Sequence, residues 1–275
     1  MTATSPTPTA AGLTRPVGPA AGVVPVALAL IRRSLLGTVR IPATFIPMIV
    51  MPLFFVIAFG GAFSSVTLLP GFPTDNILNW VAPFSVLQGA SFAGFGSAFG
   101  AGRDLENGFF DRLLLAPSPR LALILGALGY SALRAFVPTV IVVSAVLLTG
   151  ATVPGGVLAI AVLLLAAMGV AVSAGLWGLG VVYRTRTQRS GGLIQVGIFT
   201  AMFLSVGLVP LSQMEGTWLY WAARVNPITA VLGMARSGFV GDVTVDAVLP
   251  GVGALAAMIG LLGWFAWRGF RRLEG

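Results

Sequence analysis

Long apolar runs separated by short polar gaps dominate this chain. The runs cover roughly residues 41–62, 79–101, 121–149, 156–183, 190–211 and 246–267. About 20 apolar residues suffice to cross the hydrocarbon core of a bilayer as a helix, so each run predicts a transmembrane span. Ahead of the first run, Val24, Leu28, Ile31, Leu35 and Val39 recur at spacings of three and four, with Arg32, Arg33 and Arg40 mostly on the other side. That pattern predicts an amphipathic helix lying in the membrane interface. Residues 1–22 are rich in Pro, Thr, Ala and Gly and show no periodic apolar face. They predict a disordered cytoplasmic tail without the features of a cleaved signal. Residues 23–275 then form one transmembrane domain, an all-α integral membrane protein of six spans.

Punctuation inside the runs refines this picture. Pro42, Pro47 and Pro52 predict a bent first span, because each proline removes a backbone donor. The second run carries Gly89, Gly94, Gly96, Gly100 and Gly102, and the Gly96–Gly100 spacing predicts close helix packing. The third run would measure about 43 Å as a helix, longer than the core is thick. It holds Arg134, the one charge away from a run's ends. Burying it at mid-bilayer costs at least about 2.5 kcal/mol, so Arg134 is expected at the inner interface, snorkelling to headgroups. The alternative is a buried charge facing a water-filled path or a partner.

Charge orients the spans. Thirteen of the sixteen arginines fall before the first run, after the second, after the fourth and after the sixth, at positions such as Arg33, Arg103, Arg186 and Arg271. The alternate gaps hold only Arg224 and Arg236. Positively charged loops stay cytoplasmic, so both ends are predicted inside.

Composition agrees and excludes. Hydrophobic residues make up 57% of the chain and charged residues 9%, far from a soluble domain. The net charge of +8 lies in short clusters at span ends, which fits anionic headgroups and sets nucleic acid aside. There is no His, Cys or Lys. Imidazole and thiolate metal sites, Ser–His and Cys nucleophile systems and a P-loop are therefore excluded, and no catalytic, metal or cofactor-binding residue is assigned.

Two segments between runs carry more character. In the cytoplasmic loop 103–120, Phe110, Leu113 and Leu114 share one helical face and Asp111 and Arg112 another, before Pro117 and Pro119 end the helix. A short helix of this kind can dock on another protein or rest on headgroups. In the outer connection 212–245, Asn226 followed by Pro227 predicts a helix start, with Ile228, Val231, Leu232 and Ala235 on one face and Gly238 closing it. Trp218, Tyr220 and Trp221 fit an aromatic belt. This helix is expected to lie in the outer leaflet rather than cross it.

The loop from Glu106, Asn107 and Gly108 through Phe110, Asp111, Arg112 and Leu113 to Pro117 and Arg120 resembles the cytoplasmic loop of ABC-2 type permeases, most of all their daunorubicin-resistance drug exporters. The stretch 207–214, followed by Trp218 and by Asn226-Pro227 through Arg236, resembles the family's second signature. Glu215-Gly216-Thr217 departs from the short Pro-containing link of that pattern. The resemblance implies that 106–120 is a coupling helix seated on a separate ATP-binding subunit, with helix 24–40 bracing the same interface. It implies that 212–240 is a re-entrant element near the outer gate. It also implies a path between two permease copies, as homodimer or heterodimer, in a bacterial plasma membrane. ATP and Mg²⁺ would bind the partner, and this chain no cofactor. Gln88, Gly96, Gly100, Arg134 and Gln195 are candidate path or interface residues.

The resulting expectation is the non-catalytic permease subunit of an ATP-driven exporter of a lipophilic or amphiphilic compound, a drug or a lipid-like metabolite. Polysaccharide or teichoic-acid export is the rival within that class. A secondary carrier would want an acidic residue or His within a span, away from its ends, and a channel a polar ring; the runs supply neither. A membrane-embedded enzyme lacks catalytic groups.

Overall fold

The computed structural model describes residues 22–39, 45–115 and 119–273. The reading of a disordered tail over 1–22 falls outside them except at Gly22, as do Arg40, Pro42 and Pro117. Eleven α-helices follow in order: α1 (Val23–Val39), α2 (Ile46–Ala62), α3 (Ile77–Glu106), α4 (Phe109–Leu115), α5 (Arg120–Arg134), α6 (Phe136–Leu148), α7 (Gly156–Thr185), α8 (Gly191–Phe203), α9 (Trp218–Val225), α10 (Pro227–Val240) and α11 (Val245–Phe270). Among the described residues there is no strand.

Helices α3 and α7, each of 30 residues, form the central pair. Their contact depends on missing side chains. A Cβ at Gly94 would run into the carbonyl oxygen of Ala171, and one at Gly178 would lie 2.5 Å from the Ala98 methyl. Small residues let the backbones approach and gain dispersion contacts where lipid offers no hydrophobic advantage. Around α3 gather α2, α5, α6 and α10, while α11 covers α7 and α10. Helix α1 lies along α5, with Leu30 seated over Gly126 and Ile31 over Gly129. The outward faces of α2, α6 and α11 stay apolar and exposed, including Ile57, Val140, Leu249 and Leu261. That is the surface a bilayer would solvate.

Among the described residues three helical stretches are long and apolar enough to cross a membrane: Arg120–Leu148, Gly156–Thr185 and Val245–Leu273. The 17-residue α2 is apolar but shorter. Several expectations change here. The third run breaks at Ala135 into α5 and α6, because Pro138 has no N–H to offer the carbonyl of Arg134. The fifth run is helical only through α8, whose 13 residues rise about 20 Å, and residues 204–210 leave the helix. Of the Gly96–Gly100 pair only Gly96 is closely packed, against Arg134 of α5; Gly89 and Gly94 are tight as well, and a Cβ at Gly100 would meet nothing within 4 Å. On α1 the buried line runs through Ala27 and Leu30, while Val24 and Leu28 point outward. Gly238 does not close α10, which continues to Val240; it packs instead on Ala159, and its carbonyl accepts from Gly155 N–H at 3.0 Å.

Candidate functional site

The arginine-rich end of the bundle is organised around the C-terminus of α3. Its last turn carries Asp104 and Glu106. Asp104 receives both terminal nitrogens of Arg33 on α1, at 2.9 and 3.0 Å, a bidentate pair that fixes the two helices in register. The same guanidinium lies 4.0 Å from the ring centroid of Phe109, at the start of α4. Glu106 accepts from the Thr187 hydroxyl at 2.7 Å, from the Gln188 backbone N–H at 2.9 Å and from Gln188 Nε2 at 2.6 Å. These bonds hold its carboxyl below the ordinary range, the Thr187 hydroxyl most of all and the Gln188 N–H next. Glu106 thus ties the end of α3 to the turn between α7 and α8.

Chain direction reverses through Asn107 and Gly108, and Gly108 takes a φ of +65° that other residues adopt only under strain. Helix α4 follows. Phe110 is buried between Tyr183 of α7 and Phe270 of α11, with ring centroids 5.7 and 6.0 Å away. Leu113 and Leu114 pack on the same cluster, whereas Asp111, Arg112 and Leu115 face outward. The faces match the spacing of the sequence. Leu115 is 87% exposed, a large apolar side chain beside two charges on a helix anchored from behind. Arg120 opens α5, exposed. Sequence reasoning missed Arg33, Asp104, Thr187 and Gln188 as partners, because their contacts span 71 to 82 residues of chain.

At the opposite end, Arg236 of α10 organises the segment that leaves the fifth run. It is buried and donates from Nε to the Trp80 carbonyl at 3.0 Å, from Nη1 to Val206 O at 3.0 Å and from Nη2 to Gly207 O at 2.9 Å. Trp80 Nε1 donates to Leu208 O at 3.0 Å. Asn226 caps α10 by accepting from Ile228 N–H at 3.0 Å, and its amide nitrogen closes α8 by donating to the carbonyls of Ala201 and Leu204, at 2.6 and 3.0 Å. Backbone that leaves a helix within packed protein requires such partners, since its polar groups lose water there. Pro227 occupies the first turn, and Trp218 and Trp221 are exposed on α9.

Four of the five candidate path residues meet in one place. Gly96, Gly100, Arg134 and Gln195 line a cavity of about 1030 Å³ between α1, α3 and α5. Arg134 does not snorkel outward: it is 4% exposed, donates to the Tyr130 hydroxyl at 3.1 Å and fills the space over Gly96. Gln88 stands apart, fully buried within α3, with neither amide atom hydrogen-bonded.

The family model for the ABC-2 type transporter matches residues 26–240, from within α1 to the end of α10. No curated protein matches the chain.

Proposed function

The chain belongs to the ABC-2 type transporter family, and on that premise we propose that it is the permease subunit of an ATP-driven exporter. Permeases of this kind are membrane transport components that generally work with an ATPase subunit. In the proposed arrangement both termini are cytoplasmic and the apolar runs make six passages, with the fifth completed by the broken stretch after α8. A second copy of the chain or a sister permease completes the path. The cargo is lipophilic or amphiphilic, in keeping with apolar walls, and the setting is a bacterial plasma membrane. ATP and Mg²⁺ belong to the partner.

The observation that carries this reading is the mounting of α4. Phe110 anchors it to α7 and α11, Arg33 braces its start from α1, and Glu106 links the preceding turn to the α7–α8 connection. A push on the outward face of Asp111, Arg112 and Leu115 is therefore delivered to four elements at once. A helix that only rested on headgroups would need no such bracing. An ATPase domain that closes on nucleotide would displace α4, and the bundle would move with it.

The test is purification of the tagged chain from its native membrane in mild detergent, followed by mass spectrometry. A stoichiometric partner with a Walker A motif is expected, and Asp111→Arg with Leu115→Asp should release it while the permease stays folded. Retention of the partner by that double variant, or purification of the wild-type chain alone, would overturn the assignment.

A further inference from the structure

The cavity between α1, α3 and α5 has a two-part wall. Its lining carries the exposed Arg32, Arg33 and Arg103 beside the carboxylate Asp104, which is paired with Arg33, and the buried Arg134 further in. The rest of its wall is mainly apolar, with Met48, Phe92, Phe95 and Phe99 among the lining residues. The volume of about 1030 Å³ is at the upper end for small-molecule sites. Two glycines on opposite walls, Gly37 of α1 and Gly100 of α3, face open space: a Cβ at either would meet nothing within 4 Å. The space is thus left open by residue choice on both walls. Tyr130 and Thr38 share a hydroxyl–hydroxyl hydrogen bond of 2.5 Å at its side, adding polar groups next to Arg134.

We propose that this cavity binds an anionic amphiphile, with its phosphate-type headgroup among Arg32, Arg103 and Arg134 and its tail along the Phe92–Phe99 wall. Arginines answer a phosphate by charge and by fork geometry, and basic pockets between helices at the cytoplasmic side of a membrane select anionic headgroups. An aromatic and Met-lined wall gives the tail a surface that excludes water. The site lies within one copy of the chain, above the Arg33–Asp104 pair that clips α1 to α3. An occupant would fix the distance between these helices. The proposal rests on the membrane reading of the chain but on neither the direction of transport nor the ATPase.

Two sources could supply this chemistry, an acidic phospholipid of the surrounding leaflet or a soluble amphiphile reaching the cavity from water. The full-length chain, with any co-purifying partner retained, is placed in nanodiscs of equal phosphatidylglycerol and phosphatidylcholine, re-extracted and washed. Retained lipid is then quantified by mass spectrometry. In parallel, dodecyl phosphate is titrated by calorimetry into detergent-solubilised protein. Gly100→Leu and Gly37→Leu, the plugs, set bulky side chains on two walls of the cavity at positions where the added Cβ meets nothing within 4 Å. Each should lower retention or affinity at least tenfold at unchanged melting temperature, and Arg103→Gln, at the exposed rim, about threefold or more. Plug-sensitive enrichment of phosphatidylglycerol identifies a resident lipid. Plug-sensitive binding of dodecyl phosphate without that enrichment identifies a water-borne amphiphile. Absence of both, or binding that the plugs and Arg103→Gln leave unchanged, overturns the site. Because the readout is binding, its failure leaves the permease assignment to be judged by the partner purification.

Discussion

Arg236 lies flat on Trp80: its guanidinium carbon is 3.5 Å from the indole centroid, and its Nε donates to the Trp80 backbone carbonyl at 3.0 Å. One side chain of α10 thereby holds both α3 and, through Val206 and Gly207, the backbone that leaves α8. Its desolvation is offset by three carbonyl acceptors and a π-face, and two of those carbonyls, Val206 and Gly207, lie in backbone outside the helices.

The first prediction follows from that geometry. Arg236→Gln should destabilise the protein by about 2–5 kcal/mol, since buried acceptors left without donors cost about 1–3 kcal/mol each. Arg236→Lys should recover only a minor part, because a point charge cannot replace the planar fork. Thermal denaturation in detergent measures both. A wild-type melting temperature for the glutamine variant would show that residues 204–210 do not depend on this clamp.

Glu106 supplies a pH prediction. Its carboxyl is depressed from an ordinary value of 4.5 by bonds that only the folded chain provides, chiefly from Thr187 and then Gln188. A depressed carboxyl contributes stability above its unfolded value, and that contribution is lost as pH falls through the lower folded value. The tie between α3 and the 187–190 turn should hold at neutral pH and loosen below about pH 4.5. Glu106→Gln should loosen it at every pH. Hydrogen exchange at the Gln188 amide reports this directly: faster exchange in the variant is expected, and identical protection in the two proteins would remove the tie.

What the sequence made legible, and what it did not, follows from the range of each interaction. The faces of α4 and the Asn226-Pro227 start of α10 were readable because capping and i, i+3, i+4 spacing are local. The end of α8 at Phe203 was not, because Phe203 and the following Leu204-Ser205-Val206 are as apolar as a helix would be. Their departure depends on Asn226 and Arg236, more than 20 residues away. Arg134 was assigned outward on the cost of burying a charge. The cavity, Tyr130 and the missing side chain at Gly96 give it an inward place that hydropathy cannot register.

Gly94 and Gly100 lie six residues apart on α3 and should respond oppositely. Gly94→Ala would press a methyl into the Ala171 carbonyl, forcing the central pair apart, at a cost of about 1–3 kcal/mol. Gly100→Ala meets nothing and replaces a poor helix former, so it should be neutral or stabilise by up to about 1 kcal/mol. Paired melting curves decide this. Equal effects at the two positions would mean that the α3–α7 contact is looser than its geometry implies.

The last prediction separates anchoring from recognition on α4. Phe110 contacts Tyr183 and Phe270 and is 5% exposed, so it can act on a partner only through the order of the helix. Asp111 points outward and can act only by contact. Phe110→Ala removes a buried ring whose loss in a packed core costs about 3–5 kcal/mol. A seven-residue helix has little intrinsic stability to set against that, so α4 should open locally. An ATPase docking on it must then reorder the helix, which at about 1.4 kcal/mol per decade predicts at least tenfold weaker association. Hydrogen exchange across 109–115 should rise in Phe110→Ala and return toward wild type in Phe110→Leu. Asp111→Arg should weaken association as much with exchange unchanged. If Phe110→Ala raised exchange yet left association at the wild-type level, the ATPase would not be reading α4 as a preformed helix, and the displacement it delivers would have to enter the bundle elsewhere.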